Sequence, residues 1–344
     1  MTYSDDQHRN YMRHALTIAK RHAGLTAKNP SVGCVILKDH KIIGRGVTGK
    51  NGRPHAETIA LEQAGIGAKD ANIYVTLEPC SHYGKTPPCA NALIKAGVKN
   101  VFIGIQDPDE RVSGAGISML NQAKINTHIG LLASDIERHH APFLTYINKQ
   151  RPFYTLKFAA SLDGRINFAP NMIRKKISTP FNHAQAHQLR QSHHAIAVGI
   201  GTMIDDNPKL TCRLKGLEHD SPDIIIFDNH CRINPQADIF SKEYDNLKRR
   251  IFVFHAEEAT PKFQHPDVIY APIAQNFDSI HAFLLRHHIY SVLIEGGATL
   301  QTAFLNAGLA DNIIAFTGHI IIGGQAKAAF GAVNNPISVP PMLS

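Results

Sequence analysis

The chain has 344 residues, a length that favours two domains over one hydrophobic core. Its composition, 43% hydrophobic and 19% charged, is typical of a globular protein and excludes a disordered or fibrous one. No apolar run approaches the roughly 18 to 20 residues that cross a bilayer, and the polar N-terminus has no signal-peptide core, so we expect a cytoplasmic protein without a membrane partner.

The net charge of +8 favours anionic partners. Lys and Arg form no long run, and aromatic residues make up only 7% with no Trp. The charge pattern therefore favours phosphate-bearing metabolites over a nucleic-acid track. The five cysteines form an odd number, which argues against full disulfide pairing and leaves metal binding or burial for Cys80 and Cys89.

The first half alternates helical and strand patterns. Helices are predicted over 7–22, from about 56, from 87 or 88, over 116–124 and over 134–150. Two strands joined by a turn are predicted within 31–48, and single strands over 71–79, 100–108 and 125–132. Strands separated by helices of this length predict an α/β domain whose sheet has parallel neighbours and is covered on both faces.

From about residue 153 a second alternating pattern starts. Its segments are 153–166, 186–204, 222–229, 250–255, 279–288, 290–308 and 310–324. The fold class is therefore α/β throughout, and we expect one domain over 1–148 and another over 149–344.

A histidine, an acid and two thiols cluster in "PHAETIALEQAG" and "TLEPCSHYGKTPPCANALIKAG". His55, Cys80 and Cys89 supply three zinc ligands and leave a fourth tetrahedral position open, as in a catalytic site. Cys80 follows a predicted strand, and Cys89 begins a predicted helix whose dipole should lower the pKa of its thiol. Glu57 lies close enough to move protons without binding the metal.

Two other interpretations exist for these four residues. His55 can be a helix cap and the cysteines buried apolar side chains. A purely structural zinc would need a fourth ligand, for which His82 is available. We favour the catalytic site because all four residues lie at the ends of predicted elements.

The motif His-Ala-Glu followed by two Pro-Cys pairs resembles the zinc-dependent cytidine and nucleotide deaminases. Eight residues, "SHYGKTPP", separate the cysteines here. This insert, with "NPSVGCVI" and "IQDPDERVSGAG", is similar to the deaminase half of the bifunctional pyrimidine deaminase/reductases of riboflavin biosynthesis. "LKFAASLDGRI", "GTMIDDNPKLTCR" and "IEGGATL" continue the resemblance into the second half.

The resemblance implies a cytidine-deaminase-like, three-layer α/β/α domain that deaminates a diaminopyrimidinone carrying a ribosylamino phosphate. His55, Cys80 and Cys89 would bind Zn²⁺, and Glu57 would be catalytic. The residues implied to contact this substrate are Asn29, His82, Lys85, Thr86 and Asp107.

The resemblance also implies a dihydrofolate-reductase-like second domain that uses NADPH to reduce the ribosyl group to ribityl. A double glycine before a helix suits a phosphate, and the G-x-G-x-x-G motif of dinucleotide-binding folds is absent from the sequence. The residues implied to bind the cofactor are Phe158, Lys176, Thr202, Asp206, Gly296, Gly297, Ala298 and Thr299. Those implied to bind the reductase substrate are Lys157, Asp163, Arg174, Arg190, Leu210, Arg213 and Glu295; Arg190 and Arg213 would pair with its phosphate.

Two features depart from the family pattern. "APNMIRKKIST" stands where the family has Ser-Gly-Glu-Ser-x-Trp-Ile-Thr, so we expect the basic residues Arg174, Lys175 and Lys176 to supply a phosphate contact instead. The chain also ends early relative to the family, so we expect one or two final strands of the second domain to be missing.

Three competing functions stay open on sequence grounds. A deaminase acting on nucleosides or transfer RNA would share the zinc residues but would not need the second domain. A zinc-stabilised binding or assembly protein, or a deaminase whose second domain no longer reduces its substrate, would also fit. We favour the bifunctional enzyme, acting on phosphorylated pyrimidines and assembling into a homo-oligomer.

Overall fold

The structure is a computed structural model that describes residues 3–83, 87–109, 113–168, 177–241, 246–273 and 276–334. The chain divides into two compact units, Met1–Arg151 and Pro152–Ser344. The boundary predicted after residue 148 falls inside the last helix of the first unit, and the division lies shortly after that helix ends. No helix in the described part of the chain is both long and apolar enough to span a bilayer.

The first unit contains a five-stranded sheet with helices on both faces, which confirms the predicted α/β class. Its strands are β1 (Gly33–Lys38), β2 (Lys41–Val47), β3 (Asn72–Leu77), β4 (Asn100–Ile105) and β5 (Asn126–Ile129). Its helices are α1 (Asp5–Ala19), α2 (Ala56–Ala64), α3 (Cys89–Ala96), α4 (Ala115–Gln122) and α5 (Ala133–Lys149). The strand order is β2-β1-β3-β4-β5, with β3, β4 and β5 parallel and β1 antiparallel to both of its neighbours.

Glycines on the first two strands show how closely the helices approach this sheet. A Cβ at Gly33 would overlap the Ala15 carbonyl oxygen of α1, and one at Gly46 would overlap the Ala56 carbonyl oxygen of α2. Because Gly33 and Gly46 point to opposite faces, α1 and α2 cover opposite sides of the sheet. This packing gives the three layers that the resemblance implies.

Two adjacent histidines of α5 form hydrogen bonds with residues of the sheet and of the loop before it. The imidazole Nε2 of His139 lies 2.8 Å from the Ser31 carbonyl oxygen, and Nε2 of His140 lies 3.2 Å from the Thr76 hydroxyl of β3. Burial lowers the pKa of both histidines below the usual 6.5, so both are neutral at pH 7.

We expect the free energy of unfolding to fall as the pH drops below about 6.5. In that range His139 and His140 bind protons in the unfolded chain but stay neutral in the folded protein, because their folded pKa values are lower. One such histidine contributes at most about 1.4 kcal/mol per pH unit. Urea unfolding at pH 7.5 and pH 5.5 measures the difference. The His140→Gln variant should show a smaller pH dependence, whereas the exposed His40→Gln variant should match the wild type; an unchanged slope in His140→Gln would contradict the prediction.

The second unit contains a seven-stranded sheet, parallel in every described pairing, in the order β10-β9-β8-β7-β11-β6-β12. Its strands are β6 (Phe153–Ser161), β7 (Ala195–Gly199), β8 (Asp223–Phe227), β9 (Ile251–His255), β10 (Val268–Pro272), β11 (Ser291–Ile294) and β12 (Asn312–Gly318). Its helices are α6 (Pro180–Gln191), α7 (Ile200–Asp206), α8 (Phe277–Arg286) and α9 (Ala298–Asn306).

Alternate residues of β7 enter two hydrophobic cores, one on each face of this sheet. Ala195 and Ala197 join one core, and Ile196 and Val198 join the other. A continuous apolar strand buried on both sides is the expected pattern of a parallel sheet in an α/β domain. The predicted class is therefore confirmed for the second unit as well.

Candidate functional sites

The three predicted zinc ligands lie together at the carboxyl end of β3. Their donor atoms, one histidine nitrogen and two cysteine sulfurs, are all within 4.8 Å of one another. His55 Nδ1 is 3.3 Å from Cys89 Sγ and 3.6 Å from Cys80 Sγ. One imidazole and two thiols are the donor types that zinc prefers, and three protein ligands are the number that a catalytic zinc site uses.

Each ligand is held by the end of an element. His55 occupies the N-cap position of α2, but its side chain makes no capping hydrogen bond, so the capping interpretation is wrong. Cys80 follows β3. Cys89 is the first residue of α3, and its backbone N–H donates to Cys80 Sγ at 3.3 Å.

Among the described residues, the cluster contains no fourth histidine, cysteine or carboxylate. His82, the ligand that a structural zinc would need, has an exposed side chain outside this group. The geometry therefore favours a catalytic site over a structural one.

A hydrogen bond between the thiols of Cys80 and Cys89 shifts their pKa values in opposite directions. The bond from Cys89 lowers the pKa of Cys80 to about 4, and the same bond together with burial raises the pKa of Cys89. The hydrogen bond and burial thus raise the pKa of Cys89, whereas the sequence predicted that the helix dipole would lower it.

Glu57 lies in the first turn of α2 and is only 4% exposed. Burial raises its pKa to about 7, and the charge of Cys80 adds to this effect, while His55 opposes it. A carboxylate with a pKa near neutrality suits a group that takes up a proton and returns it.

The position of α2 depends on Gly46 of β2. In a Gly46→Ala variant the new methyl group would overlap the Ala56 carbonyl oxygen, between His55 and Glu57 along the chain. We expect a loss of about 1–3 kcal/mol in the free energy of unfolding and weaker zinc binding, because the start of α2 must move. Thermal unfolding and zinc titration measure both effects; the matched variant Gly67→Ala, whose Cβ would meet only the end of the Ile43 side chain, should keep its zinc affinity.

Three more residues predicted to contact the deaminase substrate are described. The Asn29 side-chain amide lies against Gly52, which belongs to the loop that leads to His55. A Cβ at Gly52 would overlap this amide. Asp107, just after β4, is 8% exposed, and burial raises its pKa to about 6. His82 is exposed, and Lys85 and Thr86 lie outside the described residues.

In the second unit, three predicted substrate residues form one ionic cluster. Arg190 of α6 donates from Nε and Nη2 to the two carboxylate oxygens of Glu295, both at 2.9 Å, and Lys157 Nζ lies 3.7 Å from the same carboxylate. Burial alone would raise the pKa of Glu295, but the hydrogen bonds and charge of Arg190 hold it below its usual value. Arg190 also donates to the Thr211 carbonyl oxygen, so three of its nitrogens are already engaged.

The other predicted substrate residues are placed less closely together. Arg213 is exposed, and its Nη1 is 3.5 Å from the Thr211 hydroxyl. Leu210 is buried and has a φ of 52°. The Asp163 carboxylate accepts hydrogen bonds from Ser161 Oγ and from two backbone N–H groups after β12, which lower its pKa to about 2. Arg174 lies outside the described residues.

Five of the residues predicted to bind the cofactor, Thr202, Gly296, Gly297, Ala298 and Thr299, lie at or near the start of α9. Gly297 is the N-cap of this helix, and Ala298 and Thr299 form its first turn. A Cβ at Gly297 would lie 3.8 Å from Thr202 Oγ1 and 3.8 Å from Lys327 Nζ. Gly296 lies against the Gly199 backbone, Asp206 ends α7, and Phe158 packs edge-on against Phe330; Lys176 lies outside the described residues.

Sequence reasoning missed two residues at these sites. Lys327 approaches Gly297 from a loop after β12, and its sequence context gives no signal of this. Glu78 is a buried acid between β3 and Cys80, and its position at the carboxyl end of a strand was an available signal.

Comparison with known proteins agrees with both units. A model of the cytidine and deoxycytidylate deaminase zinc-binding region matches residues 5–105, and a model of the RibD C-terminal domain matches residues 152–339. The riboflavin biosynthesis protein RibD of Aquifex aeolicus is 36% identical over 92% of this chain and 88% of its own length. That of Escherichia coli K12 is 35% identical over 92% of this chain and 89% of its own length.

Two solved structures are similar over nearly the whole chain. Form 1 of Acinetobacter baumannii RibD is 35% identical with a TM-score of 0.81, covering 97% of this chain and 93% of that one. The diaminohydroxyphosphoribosylaminopyrimidine deaminase/5-amino-6-(5-phosphoribosylamino)uracil reductase of Thermotoga maritima is 34% identical with a TM-score of 0.83, covering 98% and 94%. With both domain models and full-length relatives matched, the chain belongs to the RibD family of riboflavin biosynthesis proteins.

Proposed function

We propose that this chain is a bifunctional enzyme of riboflavin biosynthesis. Its first unit hydrolyses an exocyclic amine of 2,5-diamino-6-(5-phosphoribosylamino)pyrimidin-4(3H)-one, and its second unit reduces the ribosyl group of the product to ribityl with NADPH. The observation that carries the proposal is the His55, Cys80 and Cys89 cluster beside the buried Glu57.

In the proposed deamination, His55, Cys80 and Cys89 hold a zinc ion, which supplies the Lewis acidity that makes water nucleophilic near neutral pH. The Glu57 carboxylate takes a proton from the attacking water and delivers it to the amine as the carbon–nitrogen bond breaks, so that ammonia leaves. Asn29, His82, Lys85, Thr86 and Asp107 are proposed to hold the pyrimidine and its ribose phosphate.

In the proposed reduction, the start of α9 with Gly296, Gly297, Ala298 and Thr299 receives the cofactor, because open backbone N–H groups at a helix N-terminus suit a diphosphate. Phe158, Lys176, Thr202 and Asp206 complete the proposed cofactor set. The proposed substrate set is Lys157, Asp163, Arg174, Arg190, Leu210, Arg213 and Glu295. Within this set, we propose that Arg190 orients Glu295, which it already contacts, and through Glu295 also Lys157. Arg213 is exposed, so it is the better placed of the two arginines to bind the substrate phosphate.

A coupled assay tests the whole proposal. The diaminopyrimidinone nucleotide is supplied with NADPH, and ammonia release and NADPH oxidation are followed together. We expect ammonia first and NADPH oxidation after it; ammonia without NADPH oxidation would restrict the activity to the first unit. Ammonia from transfer RNA, and none from the nucleotide, would replace the proposal by the nucleic-acid alternative.

We also propose that the enzyme assembles into a homo-oligomer and works in the cytoplasm on phosphorylated pyrimidines, without a nucleic-acid or membrane partner. The spread of basic residues over the sequence supports small anionic substrates. Light scattering after size-exclusion chromatography measures the assembly state, and a monomeric mass at micromolar concentration would contradict the first part.

A further inference from the structure

Glu78 is a buried acid that the proposed chemistry leaves without a role. It lies between the end of β3 and Cys80 and is only 3% exposed. Its two carboxylate oxygens accept four hydrogen bonds, all from backbone N–H groups. Oε2 accepts from Asp107 at 3.2 Å and Gly114 at 3.0 Å, and Oε1 accepts from Gly116 at 3.0 Å and Ile117 at 3.2 Å.

These contacts make Glu78 the cap of a helix that is distant in sequence. The residue before α4, Gly114, has no side chain and a φ of 75°, so the helix lacks a local side-chain cap. Glu78 supplies the acceptor for the second and third helical N–H groups and places a negative charge at the positive end of the helix dipole.

The same carboxylate fixes the start of α4 against a zinc ligand. A Cβ at Gly116 would overlap the carbonyl oxygen of Pro79, the residue directly before Cys80. The Glu78 N–H also donates to the Ile105 carbonyl oxygen at 3.0 Å, which joins the ends of β3 and β4. The backbone around Cys80 and the first turn of α4 are therefore packed directly against each other.

Asp107 is the proposed substrate contact that this packed region holds in place. Its N–H is bound by Glu78, and its Oδ1 accepts from the Asp109 N–H at 2.9 Å. Both the backbone and the side chain of Asp107 are thus fixed before a substrate binds, which is how binding residues are made ready at low entropic cost.

We propose that Glu78 is a positioning residue for deamination, which holds Asp107 at a fixed place beside the zinc ligand Cys80. It acts on substrate binding through Asp107 and takes no part in proton transfer. This inference rests on the proposed function of the first unit.

The test compares Glu78→Gln, Asp107→Asn and the double variant in steady-state deamination of the pyrimidine nucleotide. Glutamine keeps the volume but turns an NH₂ group toward two N–H donors, so we expect KM to rise by about tenfold or more while kcat stays within about threefold. In the double variant KM should be no higher than in the worse single variant, because both changes act on one contact.

Three further measurements separate positioning from general damage. Zinc content should stay at the wild-type level, reduction by the second unit should be unchanged, and amide exchange at residues 114–117 should be faster in Glu78→Gln. The exposed Glu137→Gln change on α5 is the matched control and should alter none of these values. Glu78→Asp keeps the charge with a shorter reach and should raise KM less than Glu78→Gln does.

An unchanged KM, independent effects that multiply in the double variant, or a loss of zinc that accounts for the whole defect would each overturn the proposal. So would failure of both Glu78→Gln and Glu78→Asp to fold, because Glu78 would then serve folding alone. A wild-type protein that releases no ammonia would defeat the proposed function instead, and amide exchange would still report whether Glu78 holds the start of α4.

Discussion

Replacing Glu57 with glutamine is expected to lower kcat for ammonia release by about 10²–10⁴-fold, the range that general acid–base catalysis supplies. Glutamine fills nearly the same buried space but can neither take a proton from water nor return one to the amine. The zinc ligands are unchanged, so metal content should stay at the wild-type level. Ammonia release measured together with zinc by mass spectrometry shows both results.

The control for this change lies on the same helix. Glu62 is exposed, and Glu62→Gln should leave deamination, zinc content and reduction at wild-type values. If Glu57→Gln kept full deamination, another group would carry the proton, and the proposed catalytic role of Glu57 would be wrong. A wild-type protein that binds zinc but releases no ammonia would instead favour a zinc-stabilised binding or assembly protein.

Replacing Glu295 with glutamine is expected to reduce the free energy of unfolding by about 3–5 kcal/mol, because Arg190 and Lys157 would then be buried without an anionic partner. Their side chains are only 13% and 15% exposed, so water can replace little of the lost interaction. Urea unfolding followed by circular dichroism measures the change, and reductase activity should fall with it.

A second substitution tests the cause. Adding Arg190→Met to Glu295→Gln removes one of the stranded cations, so the double variant should be more stable than Glu295→Gln alone. The exposed Glu257→Gln change is the control and should be neutral. A loss in Glu295→Gln that Arg190→Met does not reduce would show that the ion pair is not its source.

The direction of the Glu295 pKa also fixes the pH range of this contribution. Because the folded value lies below the usual 4.5, the carboxylate is stabilised in its charged form. The stability it adds is complete above about pH 4.5 and is lost as the pH falls through the folded pKa. Glu295→Gln should therefore approach the wild type in stability at strongly acidic pH, provided that both remain folded there.

The zinc site was predictable from the sequence because each of its residues marks the end of an element. His55 precedes a helix, Cys80 follows a strand, and Cys89 starts a helix after two prolines, so local patterns alone brought them to one edge of the sheet. Glu78 carries the same positional signal, but its partners are 29 to 39 residues further along the chain and cannot be identified from local sequence.

The strands and helices of both units follow the predicted order, with one omission. The strand β10 was missed because a proline lies just before it and Pro272 ends it. Prolines normally mark turns, but among the described strands β10 pairs with β9 alone and lies at the edge of the sheet, where a missing N–H can be tolerated.

The ionic cluster of the second unit shows a different limit of sequence reasoning. The family resemblance implied that Arg190 and Glu295 both bind substrate, but no pattern indicated that the two side chains, 105 residues apart, hold each other. Such a pairing depends on how β11 and α6 approach one another, which is a property of the folded domain.

The glycine contacts of β2 bear on how this deaminase could be redesigned. Gly44 and Gly46 leave no side-chain layer between the strand and the Ala60 and Ala56 carbonyl groups of α2, the helix that carries Glu57 and follows His55. Substitutions at Gly44 or Gly46 cannot adjust the shape of the active site in small steps, because any added side-chain atom would collide with the main chain of α2. Substrate specificity should therefore be altered by varying the loops around Asn29 and Asp107, while α2 and the glycines that contact it are kept unchanged.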